Sequence, residues 1–156
     1  MQKYLLSFIL GLFIFSSGYS QKKKENKEEE IKWDVSDPGK DFHYKSHSFT
    51  TDEGTWMNLD ISPNGQTIVF DMLGDIYTMP ITGGKAKVLR EGKPFEVQPR
   101  FSPDGSKISF TSDAGGGDNI WVMNADGSNV KQITKEDFRL LNNAVWSPDG
   151  NSLIAR

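Results

Sequence analysis

The segment Phe101-Ser102-Pro103-Asp104-Gly105-Ser106-Lys107-Ile108-Ser109-Phe110 consists of an apolar end, a tight turn and a second apolar run, and it decides the fold. The same pattern recurs upstream at 61–70 and downstream at 146–155. Residues 62, 102 and 147 are the equivalent serines, so the copies are spaced by 40 and then by 45 residues. A repeat of this length is typical of units that each build four short strands.

The turn at the centre of each copy has a specific chemistry. Proline presets φ at the second place of a type I turn, and Asn64 or Asp104 is accepted at the third. The following glycine accepts a left-handed conformation, which closes the hairpin with a bulge. Ser62, Ser102 and Ser147 resemble nucleophiles, but no histidine recurs at a matching offset, so we interpret them as turn residues.

The second half of each unit also repeats. Asp75-Ile76-Tyr77-Thr78-Met79 aligns with Asn119-Ile120-Trp121-Val122-Met123 at a distance of 44 residues, and both segments have strand composition. Turn residues follow at 82–84 and 126–128, and short fourth strands are predicted at 86–89 and 130–134. The sequence therefore predicts an all-β chain of β-propeller blades with four antiparallel strands each. We place the blades near 56–92 and 96–135, with an incomplete third at 143–156.

The N-terminal third differs in composition from the repeats. Residues 1–20 have the parts of an export signal, namely a cation, a short apolar run and small residues before Gln21. Residues 21–52 form a charged, irregular linker in which lysines 22–24 are offset by glutamates 28–30. The propeller is placed at 53–156. We expect a periplasmic or secreted protein without stable membrane insertion after signal cleavage.

Composition excludes several classes of function. The formal net charge of -3 gives no concentrated basic face, so a nucleic-acid partner is not expected. The absence of cysteine excludes disulfides, thiol nucleophiles and cysteine-ligated metals.

Two groups of residues could suggest a metal. His43 and His47 have a helical ligand spacing, but Pro38, Gly39 and the nearby serines and threonines argue against a helix. The loop 113–118 has oxygen donors in Asp113 and Asp118, followed by Asn119, yet it lacks the ligand spacing of a calcium loop. We therefore predict no catalytic, cofactor-binding or metal-binding residue in this chain.

The repeat resembles the TolB-like propeller repeat, with its Phe-Ser-Pro-Asp-Gly hairpin and its Ile-Trp-Val-Met strand. The segments 52–60, 73–77 and 138–142 are also similar to the opening of exported amidohydrolases that carry such a propeller before a metal-dependent hydrolase domain. The resemblance implies that a divalent metal such as zinc would belong to that C-terminal barrel. It also implies a partner, either another protein or the chain's own C-terminal domain.

We accordingly expect an exported propeller that is non-catalytic by itself and serves as a protein-interaction or scaffold module. The alternatives are the propeller of a serine peptidase and a stand-alone periplasmic binding propeller, and enzymatic activity is left open. Closure of a ring takes about four to eight blades, so we expect a truncated product or a piece of a longer protein. We further expect 137–142 to pack between blades, 45–51 to supply a closing strand, and the outer blade faces to expose apolar residues.

Overall fold

The first two repeat units each form a four-stranded antiparallel sheet. The computed structural model describes residues 35, 43 and 45–156, and the predicted signal peptide and most of the predicted linker lie outside them. The first sheet contains β1 (Leu59–Ile61), β2 (Thr67–Met72), β3 (Asp75–Pro80) and β4 (Lys87–Arg90). The second contains β5 (Glu96–Phe101), β6 (Lys107–Ser112), β7 (Asn119–Asn124) and β8 (Lys131–Gln132). The third contains β9 (Val145–Trp146) and β10 (Leu153–Ile154).

This architecture confirms the predicted fold class. The described part of the chain has no helix, and each complete sheet follows chain order, with neighbouring strands antiparallel. The described residues therefore include no helix that could cross a membrane.

The hairpin between the first two strands of each sheet has the predicted turn. The N–H of Gly105 donates to the carbonyl of Ser102 at 2.8 Å, and Gly105 has φ +72°. Gly65 and Gly150 repeat this conformation, each with φ +71°. Glycine is needed here because a side chain makes the left-handed region unfavourable.

Successive antiparallel strands place their connections at alternate ends of each sheet. We call one end the turn end, formed by the connections 62–66, 81–86, 102–106, 125–130 and 147–152. The opposite end is the loop end, formed by 73–74, 91–95, 113–118 and 133–144. The first two blades have the same orientation. A Cβ on Gly105 would lie 3.2 Å from Pro63, so their turn ends meet, and the Glu96 N–H donates to the Gly74 carbonyl at the loop end.

The hydrophobic core lies between the first two sheets. Val69 and Ile76 of the first sheet pack with Ile108, Phe110 and Met123 of the second, and all five are at most 1% exposed. Leu89 of the first sheet also packs against this core, whereas strand alternation puts Leu59, Ile61 and Val88 on the opposite face.

That opposite face is open, as expected for an outer blade face. It exposes 55% of Leu59, 47% of Ile61 and 40% of Val88. In the third sheet Val145 and Ile154 are likewise exposed.

Two local predictions have different outcomes. The prediction that 137–142 packs between blades is wrong for Phe138 and Leu140, which are 88% and 66% exposed. Leu141 and Asn142 are partly buried. The segment is held through its backbone instead of its side chains, because the Leu141 N–H donates to the carbonyl of Asp118. Residues 45–51 are exposed and form no strand here, so their role in a complete ring stays a prediction.

Candidate functional site

The repeated serines are engaged in the turns. The Ser102 hydroxyl donates to the carboxylate of Asp104 at 2.6 Å and accepts the N–H of Lys107 at 2.9 Å. Ser62 makes the equivalent pair of bonds with Asn64 and Thr67. Each hydroxyl therefore joins the turn to the strand that follows it.

The aspartates of these turns are stabilised as carboxylates. The Ser102 hydroxyl, followed by the N–H and hydroxyl of Ser106, lowers the pKa of Asp104 to about 2. The Ser147 hydroxyl, with Asn151, lowers the pKa of Asp149 in the same way. Hydrogen bonds to the charged form are the cause, because both carboxylates remain in solvent.

The structure does not bring the candidate metal ligands together. His43 and His47 are exposed, and the described residues contain no group of three or more side chains suited to a metal. In the 113–118 loop Asp113 accepts the Phe95 N–H at 2.8 Å. The side-chain oxygen of Asn119 accepts the Thr134 hydroxyl and a backbone N–H, so it holds the following segment.

A polar relay links residues of the first two sheets and the segment that precedes the third. Asp71 accepts the N–H and the side-chain amide of Asn58 and, at 2.6 Å, the N–H of Gln98. The Gln98 side chain in turn accepts the Thr111 hydroxyl at 3.0 Å and the Asn143 N–H at 2.7 Å. Asp71 is 2% exposed, so this relay is structural and satisfies buried polar groups.

Sequence reasoning missed this relay, and it also missed an ion pair between the first two sheets. Arg90 donates to both oxygens of Glu96, at 3.0 and 2.8 Å, and Glu96 is 3% exposed. The only sequence signal is the opposite charge on either side of a Gly- and Pro-containing connection. The relay has no comparable signal, because its members are widely separated along the chain.

The loop end carries the surface best suited to bind a partner. Leu73, Phe95, Phe138 and Leu140 are 76%, 57%, 88% and 66% exposed, and we call them the loop-end patch. At the turn end the single exposed large hydrophobic side chain among the described residues is Ile81. An exposed apolar concentration at one end of a rigid sheet stack marks a candidate interaction site.

Comparison with known proteins agrees with this geometry. The family model of the tricorn protease N-terminal beta propeller domain matches residues 45–156. The chain belongs to this propeller family. The match spans both complete blades and the β9–β10 hairpin, and it includes all the turns described above.

Relatives extend the comparison. An uncharacterized protein of Agrobacterium fabrum is 38% identical over 101 residues, which are 60% of this chain and 33% of that protein. Tricorn protease homolog 1 of Streptomyces coelicolor is 30% identical over 92 residues, covering 58% of this chain and 8% of that protein. The chain therefore spans a third or less of the length of these curated relatives.

Solved structures show the same fold. The putative TolB from Agrobacterium tumefaciens superposes with a TM-score of 0.60 at 29% identity, over 66% of this propeller chain and 39% of that chain. The resemblance to the TolB-like repeat is therefore confirmed. The comparisons associate the propeller with peptidases, whereas the amidohydrolase resemblance stays a prediction.

Proposed function

We propose that this chain is an exported, non-catalytic propeller module that binds polypeptide for a hydrolase. The observation that carries the proposal is that the polar side chains of the repeated turns, which could be taken for catalytic groups, are hydrogen-bonded within those turns. The Ser102 hydroxyl and the Asp104 carboxylate bond to each other and to the turn backbone. A scaffold with its polar groups engaged in this way presents loops to a partner while its own frame stays fixed.

Family membership supports the association with peptide hydrolysis. The matching model is named for a protease propeller, and the Streptomyces coelicolor relative is a tricorn protease homolog. Because this chain covers only 8% of that relative, the activity of a whole protein is itself part of the proposal. The propeller of a metal-dependent amidohydrolase is a second candidate, favoured by the similarity of 52–60, 73–77 and 138–142 to that group.

The proposal predicts that the chain binds peptides without cleaving them. The purified full chain is mixed with labelled peptides, and fluorescence anisotropy reports binding while mass spectrometry reports cleavage. We expect saturable binding and intact peptides. Cleavage above a catalyst-free blank, abolished by Ser102→Ala, would contradict the non-catalytic assignment.

Export is tested separately. Expression with a C-terminal tag, followed by cell fractionation and N-terminal sequencing, should give a periplasmic or secreted species beginning at Gln21. A cytoplasmic species that retains Met1 would contradict export.

A further inference from the structure

One member of the loop-end patch, Leu73, has an unfavourable backbone conformation. Leu73 has φ +56° and Trp56 has φ +55°, and both large side chains are exposed at or beside the loop end. The remaining non-glycine residues with positive φ are Gln98, Asn129 and Asn143. All three are polar, and asparagine tolerates this conformation. Leucine and tryptophan are disfavoured in it, so asparagine would fit the backbone at position 73 better than the exposed leucine that occupies it.

Backbone and side-chain contacts connect the segments of the loop end that carry the patch. A Cβ on Gly74 would lie 2.7 Å from the Phe95 ring, so the ring of Phe95 lies against the turn that carries Leu73. The Phe95 N–H donates to Asp113 at 2.8 Å, which ties this part of the patch to the 113–118 loop. The Asp118 carbonyl accepts the Leu141 N–H, which brings the segment of Phe138 and Leu140 to the same loop.

The connections that carry these apolar side chains are rich in carboxylates, and two of these, Asp113 and Glu136, accept the N–H groups of Phe95 and Phe138. The loop end, taken together with Asp75 at the start of β3, includes six acids and three cations. The acids are Asp75, Glu91, Asp113, Asp118, Glu136 and Asp137. Burial, followed by the charge of Asp113, raises the pKa of Asp118, so the two carboxylates lie close enough to interact.

From this arrangement we infer that the loop end binds an extended polypeptide segment that alternates apolar and cationic side chains. Its apolar side chains pack on Leu73 and Phe95, and its lysine or arginine side chains face Asp113, Asp118 and Glu136. Charge complementarity of this kind selects among partners and speeds association. The inference rests on the proposed polypeptide-binding function and names its surface and the class of segment bound.

The experiment uses the full chain and three short fluorescein-labelled peptides of equal length. One alternates leucine and lysine, one alternates leucine and glutamate, and one alternates serine and lysine. We expect the leucine–lysine peptide to bind about tenfold or more tighter than either other peptide, and its affinity to fall with added salt. Equal affinities, or no binding of the leucine–lysine peptide, would overturn the inference.

Leu73→Asn is the decisive variant, because asparagine accepts the left-handed conformation. The variant should weaken the leucine–lysine peptide about tenfold while its urea midpoint stays equal to or above that of the starting protein. Ile81→Asn at the turn end is the matched control and should leave binding unchanged. Asp113→Asn keeps an acceptor for the Phe95 N–H, and we expect it to reduce the preference for lysine over glutamate.

The outcomes separate this inference from the proposed function. Peptide binding that survives Leu73→Asn would overturn the loop-end assignment and leave a polypeptide-binding module elsewhere. Peptide cleavage would contradict the proposed function itself. A dimer in analytical ultracentrifugation that Leu73→Asn dissociates would make a second copy the occupant and overturn the inference.

Discussion

The first two blades repeat one sequence pattern, yet they bury it to different extents. Ile108 and Met123 on one face of the second blade are at most 1% exposed, because that face packs on the first blade. Their counterparts in the first blade, Ile68 and Met79, are only half-buried, because no blade covers their face here. Residues with the same place in a repeat therefore contribute differently to stability, according to the neighbour they meet.

Polar contacts also join the two blades. The Asp60 carboxylate of the first blade accepts the Phe101 N–H at 2.8 Å, while Arg100 donates to the Leu59 carbonyl at 2.7 Å. These bonds join β1 of the first blade to β5 of the second. Substitutions at equivalent positions of the two blades can test the difference in burial between them.

Truncating a buried side chain should give the largest difference in stability loss between the two blades. We expect Ile108→Ala to lower the free energy of unfolding by about 3 kcal/mol, because it opens a cavity in a fully buried interface. Ile68→Ala should cost about 1 kcal/mol, since its face is partly hydrated already. Urea unfolding followed by tryptophan fluorescence measures both. Equal losses would show that something also covers the open face of the first blade in solution.

The ion pair between the blades should give the next effect. Glu96→Gln leaves Arg90 without its carboxylate, and we expect a loss of about 2 kcal/mol because Arg90 keeps partial access to water. The first blade has Trp56 at the position of Glu96, so it lacks this pair. Glu91→Gln, at an exposed neighbouring carboxylate, is the control and should change stability little. A loss of the same size in both variants would argue against a specific contribution from the pair.

The turn glycines provide a finer comparison. Gly65→Ala and Gly105→Ala each place a side chain at positive φ, which costs about 1 kcal/mol. A Cβ on Gly105 would also lie 3.2 Å from Pro63 of the preceding blade, whereas Gly65 has open space. Gly105→Ala should therefore be the more destabilising in urea unfolding. The reverse order would show that the turns of adjacent blades do not restrict each other.

The smallest effect concerns pH. The pKa of Asp104 is lowered to about 2, so its contribution to stability is present above the unfolded pKa and is lost as pH falls toward 2. Asn64 holds the same place in the first blade and cannot titrate. Asp104→Asn should therefore lower the melting temperature slightly at neutral pH, with the difference shrinking on acidification. A difference that is constant with pH would contradict stabilisation through the carboxylate charge.

Much of the fold could be predicted from local sequence. Three Ser-Pro-Asx-Gly turns determine three hairpins, since proline, a short polar residue and glycine fit that backbone and few others do. The fourth strands were predicted at 86–89 and 130–134 and occur at Lys87–Arg90 and Lys131–Gln132. Strand ends are uncertain because they depend on pairing with a neighbour.

The candidate site was less predictable. Leu73-Gly74 is a two-residue connection in which both residues have positive φ, the geometry of a type I′ hairpin turn. Its leucine gives no such signal in sequence, because leucine is a poor residue for that conformation. The exposure of Phe138 and Leu140 was likewise predicted wrongly, since apolar composition alone favours burial.

The sequence by itself determined the repeat, its turns and the four-stranded blade, because these depend on residues close together in the chain. Tertiary structure decided which face of each blade is buried, which charges pair across blades, and where the exposed apolar side chains gather. Arg90 meets Glu96, and Gln98 meets Asp71, only after two blades have stacked. Contacts of that kind depend on the distance between folded units, which the local pattern of residues does not encode.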